Sequence, residues 1–244
     1  GMNAARHEAL CQSLGKVAAD ALYVRFVQAY ASNVARLDPD VFDDVDVAEE
    51  GALDRILDAY AFEADEPFPQ DPGRQLAAVL KSMARAWEGT SARLLRQAKG
   101  APMDAGLGLI VQQMIPGLGQ DECGSGVLQL VDTATGLPQL TGRYLSQSQG
   151  RDALGAGRKA LYLQKDPRGT SLEDLAPAAF AALKDHAARM RVRLREEMQV
   201  EFVIENGRVH ILDGVRVPRS SRAAVQIAVR LAEDGIITQQ EAVM

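Results

Sequence analysis

The sequence predicts an α+β protein in which a helical subdomain precedes a sheet with helices on one side. Through most of the first hundred residues, apolar side chains recur three or four positions apart, which is the helical period. From Gly106 onward, β-branched runs alternate with glycine-rich turns, and a β-hairpin pattern follows at residues 199–216. Helices followed by strands that are interleaved with further helices are typical of the α+β class.

Composition and charge narrow the class of protein further. The 244 residues are 47% hydrophobic and 25% charged, as in an ordinary globular protein. A net charge of −6 disfavours a nucleic-acid surface, and no apolar run approaches the roughly 20 residues of a membrane span. We therefore expect a cytoplasmic protein that binds neither nucleic acid nor membrane. Cys11 and Cys123 lack zinc-site spacing and the three histidines are scattered, so neither a disulfide nor a metal cluster of these residues is indicated.

The helical pattern defines three helices in the first part of the chain and three in the second. In the first part they cover residues 5–35, 52–62 and 75–87, and the proline-rich turn at 68–72 separates the last two. In the second part they cover residues 172–197, with Pro177 as an alternative start, then 222–231 and 238–243. Arginines alternate along residues 189–195, and we read them as a solvated helix surface.

The strand pattern predicts runs at residues 107–114, 127–131 and 141–146 before the hairpin. A turn at 132–136 closes the second of them. Two glycine pairs, Gly117 with Gly119 and Gly124 with Gly126, fall between the first two runs, where backbone N–H groups could face a phosphate. Because this stretch lacks a Walker lysine and does not open a helix, a plain connection between strands is favoured.

The hairpin is the most informative segment, because two carboxylates, Glu201 and Asp213, interrupt its otherwise apolar strands. Asn206-Gly207 supplies the positive φ angles of a tight turn between them. Acids in such strands are either solvated or part of a metal or nucleotide site.

The two interpretations of the hairpin depend on its register. A two-residue turn places Glu205 opposite Arg208 and puts the two acids on opposite faces of the sheet. A three-residue loop with a glycine bulge places Gln199 opposite Asp213 and gathers both with Glu201 on one face. Only the second register places both carboxylates on one face, where they could form a binding site.

Several motifs, taken in order, resemble the nucleotide-binding domain of pyruvate, phosphate dikinase and, more loosely, that of phosphoenolpyruvate synthase. They are the FPQDP turn at 68–72, the helix ending at Trp87, the V-Q-x-M run at 111–114, and the stretches 123–127, 132–136, 148–152, 200–204 and 221–229. The order is kept over nearly the whole chain.

The resemblance implies an ATP-grasp-like single lobe, with an antiparallel or mixed sheet and helices on one side, preceded by the helical subdomain. In the family this fold clamps ATP and magnesium between two lobes and passes a phosphoryl group to a histidine on a swivelling domain. The first lobe should precede this segment and the swivelling domain should follow it. We accordingly divide the chain into a helical subdomain at 3–102, the lobe at 103–217, and C-terminal helices at 218–244 that pack on the lobe.

The resemblance also implies site residues and cofactors, namely ATP with Mg²⁺. The implied nucleotide-binding residues are Gln112, Gly124, Gly126, Gln149 and Asp213, and the implied metal ligands are Glu201 and Asp213.

This sequence differs from the family at several positions where the substitution changes the charge of the side chain. Ser91 and Val131 stand where the family has arginines, and Arg143 stands where it has a glutamate. Gln199 replaces an aspartate and Asp213 replaces a glutamine. Phosphoryl transfer depends on cations that neutralise developing charge, and one arginine can supply about 10³- to 10⁵-fold in rate. We therefore expect a degenerate, stand-alone relative that binds ATP and magnesium weakly and does not transfer phosphate by itself.

Two alternatives stay open at this point. In one, the chain is a component of a split ATP-dependent phosphotransferase of the pyruvate, phosphate dikinase or phosphoenolpyruvate synthase type, and another polypeptide completes it. In the other, the chain self-associates, and a second copy covers the apolar surface that the absent lobe leaves exposed.

Overall fold

The computed structural model describes residues 1–47, 49–102, 104–119, 121–148 and 160–243. The chain divides into two compact units, Gly1–Gln112 and Gln113–Met244. The finer threefold division made from the sequence stays a prediction. Among the described residues, no helix combines the length and the apolar character that crossing a bilayer requires.

The first unit is helical throughout its regular structure. Its elements are α1 (Ala4–Leu14), α2 (Lys16–Tyr30), a π-helical turn (Ala31–Ala35), α3 (Pro39–Asp43), α4 (Ala52–Ala64), α5 (Pro72–Glu88) and α6 (Thr90–Ala98). The prediction of one helix over residues 5–35 was wrong at Gly15. This residue has φ of 86°, which glycine adopts readily, so it ends α1 and directly precedes α2. Apolar side chains keep the helical spacing on both sides of Gly15, so the sequence pattern does not reveal where α1 ends.

The core of the first unit centres on Phe68, which belongs to the proline-rich turn. Its ring makes edge-on contacts with Tyr23, Tyr30 and Tyr60 at centroid distances of 6.0, 5.3 and 5.1 Å. Such aromatic pairs stabilise a core beyond the area that they bury. The same turn starts α5, because the carboxylate of Asp71 accepts a hydrogen bond from the Gly73 N–H at 2.8 Å.

The second unit contains an antiparallel sheet and four helices among its described residues. Its elements are β1 (Gly124–Val131), β2 (Pro138–Ser146), α7 (Leu172–Leu175), α8 (Pro177–Leu194), β3 (Met198–Glu205), β4 (Arg208–Arg216), α9 (Ser221–Glu233) and α10 (Gln239–Val243). The strand order is β2-β1-β3-β4, and every neighbouring pair is antiparallel. The predicted α+β class is confirmed.

Two further predicted elements were wrong. Residues 107–114 form no strand; Ile110 and Val111 are 90% and 69% exposed, because no neighbouring strand pairs with this run. The single helix predicted over 172–197 is two helices, because the backbone of Ala176 is not helical. The longer helix starts at Pro177, the alternative start, where the missing N–H of proline is not needed.

One face of the sheet packs against α8. The contacting residues are Leu128, Tyr144, Val200, Phe202 and Ile204 from the strands and Ala179, Phe180, Leu183 and Ala187 from the helix. The rings of Tyr144 and Phe202 stack across Gly126, which lies directly opposite both of them, with centroids 6.2 Å apart and planes inclined by 4°. A side chain at position 126 would occupy the space of the Phe202 ring.

Ion pairs tie α8 to the C-terminal helices. Arg191 contacts Glu197 and, at 2.7 Å, Asp234, while Arg195 contacts Glu241 at 2.6 Å. The interpretation of the 189–195 arginines as a solvated surface was therefore wrong for Arg191, whose side chain is 20% exposed, whereas Arg195 is exposed as predicted and forms a surface ion pair. Their partners lie up to 46 residues away, so no local pattern could reveal them.

Candidate functional site

The hairpin combines features of both predicted registers. Asn206 and Gly207 have φ of 50° and 74° and form a two-residue turn, with Glu205 opposite Arg208. Farther from the turn the register shifts by one residue, so that Leu212 on β4 has no counterpart on β3. Such an extra residue is a β-bulge, and it reverses the face to which every following side chain on its strand points.

The bulge brings the two carboxylates together. Phe202 lies opposite Ile211, but the next residue on β3, Glu201, lies opposite Asp213. Residues in direct opposition share a face and have Cβ atoms about 4.5–5.5 Å apart. The shared face was predicted only for the three-residue loop, and the predicted Gln199–Asp213 pair was wrong, since Gln199 lies opposite Val215.

A row of side chains crosses the sheet on the face turned away from α8. Arg143 of β2 lies opposite Val127 of β1, Val127 lies opposite Glu201, and Glu201 lies opposite Asp213. We call this row of four residues the charged row. It carries a cation at one end, two carboxylates at the other and an aliphatic side chain between them.

A polar row runs beside the charged row on the same face. It consists of Thr141, Gln129, Gln199 and Val215, each opposite the next. A pocket of about 350 Å³ lies between the two rows and is lined by Val127, Leu128, Gln129, Gly142, Arg143 and Gln199. The hydroxyl of Thr141 is shielded from solvent and has no hydrogen-bond partner among the described residues. Amide and guanidinium groups around one depression suit a polar ligand.

The carboxylate pair is accessible and has the chemistry of a magnesium site. Asp213 is exposed and Glu201 is half-buried. One oxygen of Asp213 accepts a hydrogen bond from the Gly214 N–H at 2.8 Å, which orients the carboxylate. Mg²⁺ is usually held by one or two carboxylates together with substrate phosphates, so Glu201 and Asp213 fit the ion.

The other predicted nucleotide-binding residues lie elsewhere or outside the described part of the chain. Gly124 and Gly126 lie within β1 on the face that packs against α8, not in a loop. Gln112 is exposed and ends the first unit, and Gln149 lies outside the described residues. Nucleotide contacts by these four residues stay predictions. Sequence reasoning missed Gln129, whose alternation with Val127 along a strand was the available signal.

The glycine-rich connection before β1 packs on the hairpin turn. The Sγ atom of Cys123 accepts a hydrogen bond from the Asn206 N–H at 3.1 Å, and the hydroxyl of Tyr144 donates one to Glu122 at 2.7 Å. Burial raises the pKa of the Cys123 thiol and that of the Tyr144 hydroxyl. Both groups therefore stay protonated at neutral pH, as expected of structural residues.

Sequence comparisons identify the relatives of this chain. No family model matches it. It is 28% identical over 270 residues to pyruvate, phosphate dikinase from Rhizobium meliloti, a match that covers 99% of this chain and 30% of that protein. It is 32% identical over 179 residues to pyruvate, phosphate dikinase from Clostridium symbiosum, covering 73% of this chain and 20% of that protein. The match to pyruvate, phosphate dikinase 2 from Zea mays is 27% over 191 residues, covering 78% and 21%.

All three matches are to pyruvate, phosphate dikinases, and each covers only part of the relative. The chain spans less than a third of the length of each of these curated relatives. The chain is therefore related to pyruvate, phosphate dikinase.

Proposed function

We propose that the second unit is an ATP-grasp-like lobe that binds the phosphates of magnesium-bound ATP on the face of its sheet turned away from α8, without transferring a phosphoryl group by itself. The observation that carries this proposal is the charged row, in which a β-bulge aligns Glu201 and Asp213 with Arg143. The relation to a dikinase supports a phosphate-bearing ligand.

The carboxylate end of the row accounts for the metal. Glu201 and Asp213 would hold Mg²⁺ by one oxygen each, and phosphate oxygens and water would complete its coordination. When bound, the ion supplies positive charge next to the phosphates. Relative to the family, Gln199 on β3 replaces an aspartate and Asp213 on β4 replaces a glutamine. This face of the sheet therefore still carries two carboxylates, those of Glu201 and Asp213.

The cationic end of the row accounts for the phosphates. Arg143 and Glu201 lie on strands separated by β1, which places their backbones about 10 Å apart. The side chain of Val127 lies between them and forms an uncharged floor. A phosphate chain above Val127 would receive hydrogen bonds from the guanidinium of Arg143 on one side and contact the metal on the other.

We infer the absence of phosphoryl transfer from the loss of cationic side chains at other positions of the chain. Ser91 and Val131 stand where the resembling family has arginines, and neither side chain can neutralise charge that develops on a transferred phosphoryl group. Arg143 is a single replacement cation. It supports ground-state binding of phosphate, which alone does not accelerate the chemical step.

Calorimetric titration with magnesium-bound ATP tests the binding proposal. We expect wild-type protein to bind with a Kd of about 0.1–1 mM, and Asp213→Asn or Arg143→Gln to weaken binding about tenfold, since each removes one charge from the row. Glu205→Gln is the matched control, because it also removes one carboxylate of the hairpin but lies on β3 opposite Arg208, outside the row. The absence of heat at millimolar nucleotide, or equal affinity in all variants, would contradict the proposal.

A second candidate is a component of a split phosphotransferase. The observation in its favour is that the relatives carry the matched segment within much longer chains. It predicts that this protein, mixed with the unmatched segments of the Clostridium symbiosum relative, supports phosphorylation from radiolabelled ATP, and that Glu201→Ala abolishes the transfer. No transfer in the wild-type mixture would remove this candidate and leave nucleotide binding in place. Light scattering of the protein alone would reveal the self-association considered above.

A further inference from the structure

Three potential metal ligands converge at the start of the first unit, far along the chain from the charged row. The Nε2 atom of His7 lies 2.6 Å from an oxygen of Asp20 and 3.5 Å from the Sγ atom of Cys11. The three ligand atoms all lie within 4.8 Å of one another. Nothing in the proposed nucleotide site uses these residues.

The fold explains why the three side chains meet. His7 and Cys11 are four residues apart on α1, so they lie on one side of the helix, one turn apart. The positive φ of Gly15 ends α1 and lets α2 begin at the next residue. Asp20, in the second turn of α2, then reaches back to His7. Helical spacing of His7 and Cys11 was the available signal in the sequence, but Asp20 joins them only through the turn at Gly15.

The donor set and its spacing suit zinc. Zn²⁺ takes imidazole nitrogen, thiolate sulfur and carboxylate oxygen in tetrahedral sites, with bonds of about 2.0–2.3 Å. In a tetrahedron with such bonds, sulfur and nitrogen ligands lie about 3.5 Å apart. His7 and Cys11 already have this separation. The contact between His7 and Asp20 is a hydrogen bond, so these two atoms would move apart by about 0.8 Å to admit the ion.

Two further features leave the position open to an ion. The side chains of His7 and Asp20 are 19% and 23% exposed, so neither is sealed from solvent. Lys16 contacts the second oxygen of Asp20 at 2.5 Å, but its own side chain is 76% exposed and can turn into solvent.

We propose that His7, Cys11 and Asp20 form a binding site for one Zn²⁺ ion that links α1 to α2. Binding forms three metal–ligand bonds and releases the thiol proton of Cys11 to solvent, while a neutral His7 ring binds through Nε2 and carries its proton on Nδ1. Three protein ligands leave a fourth coordination position for water or an external donor. The site belongs to the first unit and is independent of the proposed nucleotide function.

Titration of the untagged full chain with Co²⁺, and then with Zn²⁺, tests this site. We expect one Co²⁺ per chain, with a thiolate-to-cobalt charge-transfer band and the intense visible bands of tetrahedral cobalt, and loss of this spectrum when Zn²⁺ displaces the cobalt. Zn²⁺ at about 100 times its Kd should raise the Tm by about 5 °C or more. Cys11→Ser should abolish the charge-transfer band, and His7→Gln should weaken Zn²⁺ binding at least about tenfold.

The second cysteine of the chain provides a matched control. Cys123 is buried in the second unit, and Cys123→Ser should leave the cobalt spectrum, the stoichiometry and the zinc-dependent Tm shift unchanged. His186→Gln, on a half-buried histidine of α8, serves in the same way for His7. The proposal is overturned if wild-type protein gives no thiolate-to-cobalt band at equimolar metal, or if Cys11→Ser keeps the band. Retention of the full Tm shift in His7→Gln would also overturn it.

Discussion

Replacing Arg191 with methionine should lower the free energy of unfolding by about 3 kcal/mol. Arg191 contacts Glu197, which is only 4% exposed, and also reaches Asp234 on the C-terminal side of α9. Removal of one partner of a buried ion pair leaves the other charge desolvated and unpaired, which is strongly destabilising. Methionine keeps much of the aliphatic packing of arginine, so the loss reports the charge. Urea denaturation followed by far-ultraviolet circular dichroism measures it.

Two further variants separate this ion pair from a general effect of losing an arginine. Arg193→Met changes an exposed residue of the same helix, and we expect an effect below about 0.5 kcal/mol. The double variant Arg191→Met with Glu197→Gln should recover more than half of the loss, because the buried group is then neutral. If Arg191→Met and Arg193→Met are equally stable, Arg191 does not tie α8 to the segment after it.

Gly126→Ala should destabilise the second unit by about 3 kcal/mol or more, or prevent it from folding. A Cβ atom at this position would lie 2.5 Å from the carbonyl oxygen of Arg143 and 2.5 Å from Cζ of Phe202. The first contact is with the backbone of the adjacent strand, so β1 and β2 would have to separate to relieve it. Overpacking of this kind destabilises by about 1–3 kcal/mol even where only side chains have to move.

Gly169→Ala is the control for this substitution. A Cβ atom at position 169 would lie 3.4 Å from Tyr162, an ordinary contact, and we expect a change of less than about 1 kcal/mol. The comparison also separates two roles of Gly126, which the family resemblance places among the nucleotide-binding residues. If Gly126→Ala keeps wild-type stability but loses affinity for magnesium-bound ATP, then this glycine serves binding and not the stacking of Tyr144 with Phe202.

Local chemistry in the sequence was sufficient for the α+β class, for the four strands of the sheet together with a tight turn at Asn206-Gly207, and for most of the helices. Asn206-Gly207 is an example, because the positive φ angles that this pair adopts readily are a property of the two residues themselves. The helix start at Pro177 is another, since proline at a first helical position needs no partner. The failed strand concerned an element that depends on a distant partner. Residues 107–114 have strand composition, but a strand exists only when another strand pairs with it.

The candidate sites show the same division. The acids Glu201 and Asp213 could be selected from the sequence, because a carboxylate in an otherwise apolar strand is either solvated or part of a site. Their shared face depends on the bulge at Leu212, and the position of Arg143 in the same row depends on the register of two further strand pairs. Each register is set by the packing of the whole sheet against α8, since a shift of one residue would expose Val200 and Phe202. The sequence by itself determined which residues could bind a ligand, and the tertiary structure alone decided which of them meet, because strand register and helix crossing are set by burial over the entire unit.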